Sequence, residues 1–360
     1  MEFTVQKANL ESAMDVAIRA IPKHTTMPIL YTFLFEVEGT KGVITATDMG
    51  TSIRTEFTCM ATEGGKMCVD AKTLVSAVKK MGKSDITFKT EDNAVIVTGA
   101  KARYEMPIRA DVDEYPELQE IKDSTKFTID GDVFSKMIDG VAFSASTKEN
   151  NKLLTGINLW TKNGKLRLTA LDLVRVAIRS TEVDCKEDIN TVVPLKAMTE
   201  LAKSIYDMDV DIEYTRFHIR FTFGNTTMIA RLIDGNYFNV DQILKNEPDI
   251  HVKVDKKELM ETIDRALVVQ TDNVPIVFDI KDNIISTSYL TNISKFDEDV
   301  ECEKTGDDIR IGLNPKYVLD ALKAADDDEI VLNMHNSNSP MFIADDEGTY
   351  IYIVLPVNIN

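Results

Sequence analysis

Three stretches of this chain alternate apolar and polar residues for a few positions and then change to a period near 3.6. They are FTVQKANLESAMDVAIRAI from Phe3, FTIDGDVFSKMIDGVAFSA from Phe127 and VKVDKKELMETIDRALVV from Val252. Each predicts a short strand, a turn and an amphipathic helix, with helices over 8–23, 132–148 and 256–269. A second set of helical patterns, AKTLVSAVKKMGK (71–83), LKAMTELAKSIY (195–206) and PKYVLDALKA (315–324), is followed each time by alternating segments around a polar turn. These segments are ITFKTEDNAVIV, DIEYTRFHIRFTF and EIVLNMHNSNSPMFI. In the middle one the alternation predicts Ile212, Tyr214, Phe217, Ile219, Phe221 and Phe223 on buried faces.

The pattern is a repeat with a register. Leu10 and Phe134, Asp48 and Asp172, and Val69 and Val193 are each 124 residues apart. In the third copy Leu259 lies 125 beyond Phe134 but Lys316 only 120 beyond Lys196, so its middle is five residues shorter. A fixed period of this kind identifies one structural unit used three times. The expected fold is α+β, three similar domains, each with two helices packed on antiparallel sheets. The expected boundaries are 1–122, 126–245 and 248–360, joined by segments 111–125 and 234–249 whose apolar residues predict packing on the surface.

The length of 360 residues fits two or three domains, and 44% hydrophobic residues supply a core for each. No apolar run reaches the roughly 18–20 residues of a membrane span, and the N-terminus has no signal-peptide layout. Four scattered cysteines, Cys59, Cys68, Cys185 and Cys302, predict reduced thiols and a cytoplasmic location.

The net charge is −18. Its distribution changes the picture. The first helices of the three copies are neutral, while the second helices are basic, most of all at Lys72, Lys79, Lys80 and Lys83, with no acid between them. Helices of this charge on an acidic remainder suit a polyanion meeting one surface only. Nothing resembles base readout, so a phosphate-directed, sequence-independent contact is expected.

Catalytic patterns are weak. Met81-Gly82-Lys83-Ser84 resembles the end of a phosphate-binding loop, but Ala77 stands where the first glycine is required and the segment ends a helix instead of preceding one. Gly82 is expected to be a helix C-cap. His24, His218, His251 and His335 are far apart, and Asp48 and Asp172 fill the same slot of two copies, which predicts a repeated turn. The run Asp326-Asp327-Asp328 predicts a solvated turn. No enzyme activity, metal or cofactor is expected.

MEFTVQKANL, TMPIL (26–30), TATDM (45–49), LIDGNYF (232–238), IGLNPKYVLDAL (311–322) and YIVLPVNI (352–359), in this order and spacing, resemble the bacterial DNA polymerase III β subunit, the sliding clamp family. The resemblance covers the whole chain. It implies a head-to-tail homodimer, a ring of six domains whose twelve helices line a hole for double-stranded DNA, and a role as processivity factor in DNA replication. The alternative it leaves open is a clamp-like paralogue serving as a scaffold for repair or a mobile element.

The implied DNA contacts are Lys23, His24, Lys72, Lys79, Lys80, Lys83, Lys196 and Lys203. The implied partner-peptide pocket is Leu154, Leu171, Leu173, Arg175, Val176, Ile243, Val354, Leu355, Pro356 and Val357. The implied partners are the DNA polymerase III α subunit, the clamp loader and repair polymerases carrying linear peptide motifs. Two departures stand out: Leu171-Asp172-Leu173-Val174-Arg175 replaces a family segment like Thr-Asp-Gly-His-Arg, and Leu355-Pro356-Val357 replaces a Met-Pro-Met tail.

Overall fold

The computed structural model describes residues 1–359 apart from 109–110, 119–120, 122–123, 149, 246–247, 270–273 and 291–293. Lys122, the expected end of the first domain, and parts of both joining segments lie outside the described residues.

Six α-helices are present among the described residues: α1 (Lys7–Ala17), α2 (Ala71–Lys80), α3 (Gly131–Ala142), α4 (Leu195–Ala202), α5 (Lys256–Leu267) and α6 (Pro315–Ala324). Their buried faces are copies of one another. Buried positions are Leu10, Ala13, Met14 and Ala17 on α1, Phe134, Met137, Ile138 and Val141 on α3, and Leu259, Thr262, Ile263 and Ala266 on α5. All three sets follow n, n+3, n+4, n+7, the stripe that a 3.6-residue period buries. The second helices obey the same rule at and just past their ends: Leu74, Ala77, Val78 and Met81; Met198, Leu201, Ala202 and Ile205; Val318, Ala321, Leu322 and Ala325. Side-chain caps start α2, α5 and α6: Asp70 on Thr73 N (2.9 Å), Asp255 on Glu258 N (2.7 Å) and Asn314 on Lys316 N (3.0 Å).

Several helices are shorter than the sequence predicts. Residues 18–20 continue α1 as a single 3-10 turn, because the apolar periodicity outlasts the α-helical hydrogen bonding. Gly82 is not a left-handed cap. α2 ends when Met81, in extended conformation, donates its N–H to Ala77 O and Val78 O (both 3.1 Å), and Lys7 Nζ closes the end on Met81 O at 2.6 Å.

The chain folds into two compact units, Met1–Asp132 with Glu200–Leu232, and Val133–Thr199 with Ile233–Asn360. The division falls inside α3 and α4. In the first unit an eight-stranded and a five-stranded antiparallel sheet share an aromatic core. Phe3 and Phe88 stack at 4.7 Å and 3°, and Phe35 meets Phe57 edge-on at 6.2 Å. Tyr115 of the joining segment is buried and its hydroxyl donates to Thr45 O (3.1 Å), so this segment is packed down as its apolar residues predict. Of the inward set expected for the middle hairpin, Ile212, Ile219, Phe221 and Phe223 are buried, but Tyr214 is only half-buried and Phe217 is 59% exposed. The strands end at Tyr214 and His218, and Phe217 lies in the turn between them, before the second strand begins.

The second unit holds a nine-stranded and a four-stranded antiparallel sheet. In the larger sheet the strand Arg175–Glu182 pairs with Tyr350–Val354 in the register Arg175↔Val354 to Arg179↔Tyr350. This pair of strands positions the candidate site.

Candidate peptide groove and nucleic-acid-facing lysines

Successive residues of a strand point to opposite faces, so the Arg175–Glu182 and Tyr350–Val354 pair has two. On one face Val176, Ile178 and Ile353 join Leu154, Leu171 and Val240 in one buried apolar cluster. Tyr237, Ile243, Leu244, Phe342 and Ile351 pack against it, only partly buried. Sequence reasoning finds Leu154, Leu171, Val176 and Ile243 of this set and misses Tyr237, Val240, Ile178 and Ile353. The alternation of YIYIV carries the signal for Ile353. The 3-10 segment Val240–Lys245 is pinned here by Arg167 Nη1 on Asp241 Oδ1 (2.6 Å), with the Arg167 guanidinium 4.3 Å from the Trp160 ring centre.

On the opposite face Arg175, Arg179, Tyr350, Tyr352 and Val354 turn toward α6. Val354 is 1% exposed and belongs to this face, so the alternation takes its side chain away from the groove. Arg175 is tied up rather than free for a ligand: Nε to Asp172 Oδ2 (2.9 Å), Nη1 to Asp320 Oδ2 (2.7 Å), and its guanidinium over Tyr317 at 4.4 Å. Arg179 is 6% exposed at its side chain. It donates to Tyr352 Oη (2.9 Å), Asp326 Oδ2 (2.6 Å) and Ala324 O. A methyl at Gly140 would stand 2.5 Å from Arg179 Nε, so α3 is cut away to pass this side chain. Lys136 adds a second cation to Asp326 at 3.0 Å. Burial alone would raise the Asp326 carboxyl; hydrogen bonds and charge from Arg179 and Lys136 outweigh it and hold the group below its ordinary value. Asp327 accepts from Tyr350 Oη (2.7 Å), so the run 326–328 is the exposed turn expected from sequence and also carries a lock.

The rim of the groove is exposed and apolar. Leu173 is 63% exposed at φ 78, Val174 41%, Leu355 36% and Val357 38% exposed, with Pro356 half-buried between them. Leu355 N donates to Val174 O (2.9 Å) and Val357 N to Gly312 O (2.8 Å). The tail crosses Gly312 so closely that a Cβ there would meet Ile359 Cγ1 and Val357 O at 2.7 Å. An apolar floor under an apolar rim can take up bulky apolar side chains of an extended peptide.

The lysines predicted for DNA contact are exposed: Lys23 with His24, and Lys72, Lys79, Lys80, Lys83, Lys196 and Lys203. They are not equivalent. Lys79 is paired with Asp15 of α1 at 2.8 Å, a contact that raises its pKa. Lys203 pairs with Glu200 at 2.9 Å, and Glu200 also takes Arg19 at 2.9 Å. Among the described residues no cluster of His, Cys, Asp and Glu is arranged to hold a metal ion. No described helix is long and apolar enough to cross a membrane.

Comparison with known proteins covers the whole chain. Sequence models of the DNA polymerase III beta subunit match in order: the N-terminal domain over residues 1–119, the central domain over 128–239 and the C-terminal domain over 241–358. The chain is 29% identical over 377 residues to the beta sliding clamp of Bacillus subtilis (strain 168), covering 99% of each chain. The crystal structure of the DNA polymerase sliding clamp from Bacillus subtilis superposes with a TM-score of 0.95 at 27% identity over 100% of both chains. A structure from Eubacterium rectale ATCC 33656, solved as a candidate DNA polymerase III beta subunit, gives a TM-score of 0.95 at 34% identity, again over 100% of both.

Proposed function

The chain belongs to the DNA polymerase III beta subunit family and acts as a DNA sliding clamp, and from that premise we propose how its own residues do so. Two copies close head to tail into a ring around double-stranded DNA in the cytoplasm. The protein works without catalysis, metal or cofactor, by topological enclosure. The observation that carries this reading is the identical burial rule on all six helices, because six equivalent inner faces leave six equivalent outer faces for a uniform lining. Modest charge on those faces suits sliding: phosphate contacts are individually weak, exchangeable and blind to sequence. The full-length match to beta sliding clamps leaves the paralogue-scaffold reading unfavoured.

Ring closure uses sheet edges. The strand Ala102–Pro107 ends the five-stranded sheet and Lys295–Glu301 ends the four-stranded one. Lys101 precedes the first, which carries Arg103 and Glu105, while the second carries Lys295 against Asp297, Glu298, Asp299 and Glu301 and is net negative. An edge presents unpaired backbone groups, and opposite charges direct the first-domain edge of one copy to the third-domain edge of the other.

The groove floored by Leu154, Leu171, Val176 and Ile243 and rimmed by Leu173 and Leu355 to Val357 takes linear motifs of the polymerase α subunit, the clamp loader and repair polymerases. The deciding experiment measures product length on primed circular DNA with polymerase and clamp loader, with and without this protein. The expected result is long products only when it is present. Unchanged product length with a loaded dimer overturns the reading.

A further inference from the structure

The geometry of the groove recurs, hydrogen bond by hydrogen bond, inside the first unit. In the second unit Asp172 N donates to Arg175 O (3.2 Å), Asp172 Oδ1 accepts from Val174 N and Arg175 N (3.3 and 3.2 Å), and Val174 O accepts from Leu355 N. In the first unit Asp48 N donates to Thr51 O (3.1 Å), Asp48 Oδ1 accepts from Gly50 N and Thr51 N (3.0 and 2.7 Å), and Gly50 O accepts from Arg231 N at 2.8 Å. Ala230 faces Thr51 as Val354 faces Arg175. Leu30, the counterpart of Leu154, lies in a small buried cluster with Ile29, Cys68 and Tyr115. At this same end of the eight-stranded sheet three large apolar side chains stand in solvent: Met27 at 43%, Met49 at 57% and Phe217 at 59% exposure. Leu232 N bonds Phe217 O at 2.9 Å, so Met49 and Phe217 flank the segment Arg231–Leu232.

The differences set the chemistry. Arg231 occupies the slot of Leu355, and Arg216, the residue before Phe217, holds its guanidinium 5.2 Å from the Phe217 ring centre. The Asp48 carboxylate is taken up by backbone N–H groups. His218, opposite Arg231 in the ladder, is pushed toward its neutral form by burial and by Arg231. The surface is therefore apolar with a positive side, on a chain of net charge −18. Two exposed methionines suit an adaptable apolar contact. We propose that this end of the first unit is a second docking groove, and that its occupant is an acidic linear peptide whose bulky apolar residues seat between Met49 and Phe217 while its carboxylates meet Arg216 and Arg231. The proposal rests on reading the first groove as a peptide site, but it uses none of that groove's residues.

The test uses the full-length dimer and a fluorescein-labelled acidic peptide bearing Leu and Phe anchors, read by anisotropy and by calorimetric stoichiometry. Leu173→Asp disables the first groove. In that background the probe still binds, one per chain, and adding Arg231→Glu weakens it about tenfold or more. Met49→Gly, at a φ of 72 that glycine adopts freely, removes one anchor without disturbing the turn and weakens it as well. The proposal is overturned if Leu173→Asp alone abolishes binding, if the remaining binding ignores both Arg231→Glu and Met49→Gly, or if a probe with its apolar residues changed to Ala binds equally well. Wild-type behaviour in Leu173→Asp would refute the first groove alone. Arg231→Glu in the wild-type background would then decide the second.

Discussion

Met49 and Leu173 adopt the same left-handed backbone, φ 72 and φ 78, at the second position of two Asp-headed turns 124 residues apart. Both side chains are exposed, at 57% and 63%. A branched or long side chain in this region costs about 1–2 kcal/mol, and neither regains it by burial. Glycine would be relaxed here, at some loss of unfolded-state entropy.

Leu173→Gly is therefore expected to stabilise the protein by about 0.5–1 kcal/mol in denaturant melts, while weakening a polymerase-derived peptide at the first groove severalfold. Met49→Gly should give a similar gain in stability and leave first-groove affinity unchanged. Loss of stability in both variants would mean the turns are not strained.

The Arg179–Asp326 lock predicts an acid dependence. The folded-state pKa of Asp326 lies below its unfolded value. Its contribution is present above the ordinary aspartate range near pH 3.9 and is lost as pH falls through the lower folded value. Asp326→Asn should lower stability at pH 7 and flatten the decline below about pH 4. Arg179→Ala, which strips Asp326 of its buried partner and leaves Ala324 O and Tyr352 Oη only their bond to each other, should cost of order 3 kcal/mol. Thermal melts from acid to neutral pH check both, and parallel acid profiles for wild type and Asp326→Asn would remove the lock from the account.

Charge reversal on α2 should act unequally. Lys79 already shares its charge with Asp15, whereas no carboxylate contact is recorded for Lys80 or Lys83 among the described residues. Lys80→Glu with Lys83→Glu should cut retention on DNA at moderate salt more than Lys79→Glu does, with the dimer unchanged in mass measurement. Equal retention in every variant would place this end of α2 away from DNA.

The repeat and the six helices were legible because a 3.6-residue stripe and a two-residue alternation are local properties, whereas the groove positions came only from the family resemblance. What escaped was set by distant partners or by turns. Arg175 and Arg179 meet Asp320 and Asp326 some 145 and 147 residues later, and no local pattern announces that. Lys79 has no acid within its own helix; its partner Asp15 approaches from α1. Phe217 keeps the parity of Ile219 and Phe221 but lies in the turn before their strand begins and so stays exposed, and Val354 sits next to Leu355 in sequence although strand geometry turns it to the other face.

The tail offers the most direct test of the groove. Val354 is buried and ends the strand, while Leu355, Pro356 and Val357 lie on the surface, held by the bonds Leu355 N to Val174 O and Val357 N to Gly312 O. Deleting 355–360 removes these two bonds, each worth about 1 kcal/mol net, and leaves Tyr350–Val354 in its ladder. The truncated protein should stay folded and dimeric, less stable by roughly 1–2 kcal/mol. Its peptide affinity should fall much further, because burying one bulky apolar anchor contributes about 1.5–3 kcal/mol and half the rim is gone. A loss of about tenfold or more in fluorescence anisotropy with a polymerase-tail peptide is the expected outcome. Wild-type affinity in the folded, truncated dimer would show that the tail does not line the site. If truncation impairs folding, Leu173→Asp makes the same test, since that side chain is exposed and Asp adopts a left-handed backbone more readily than Leu.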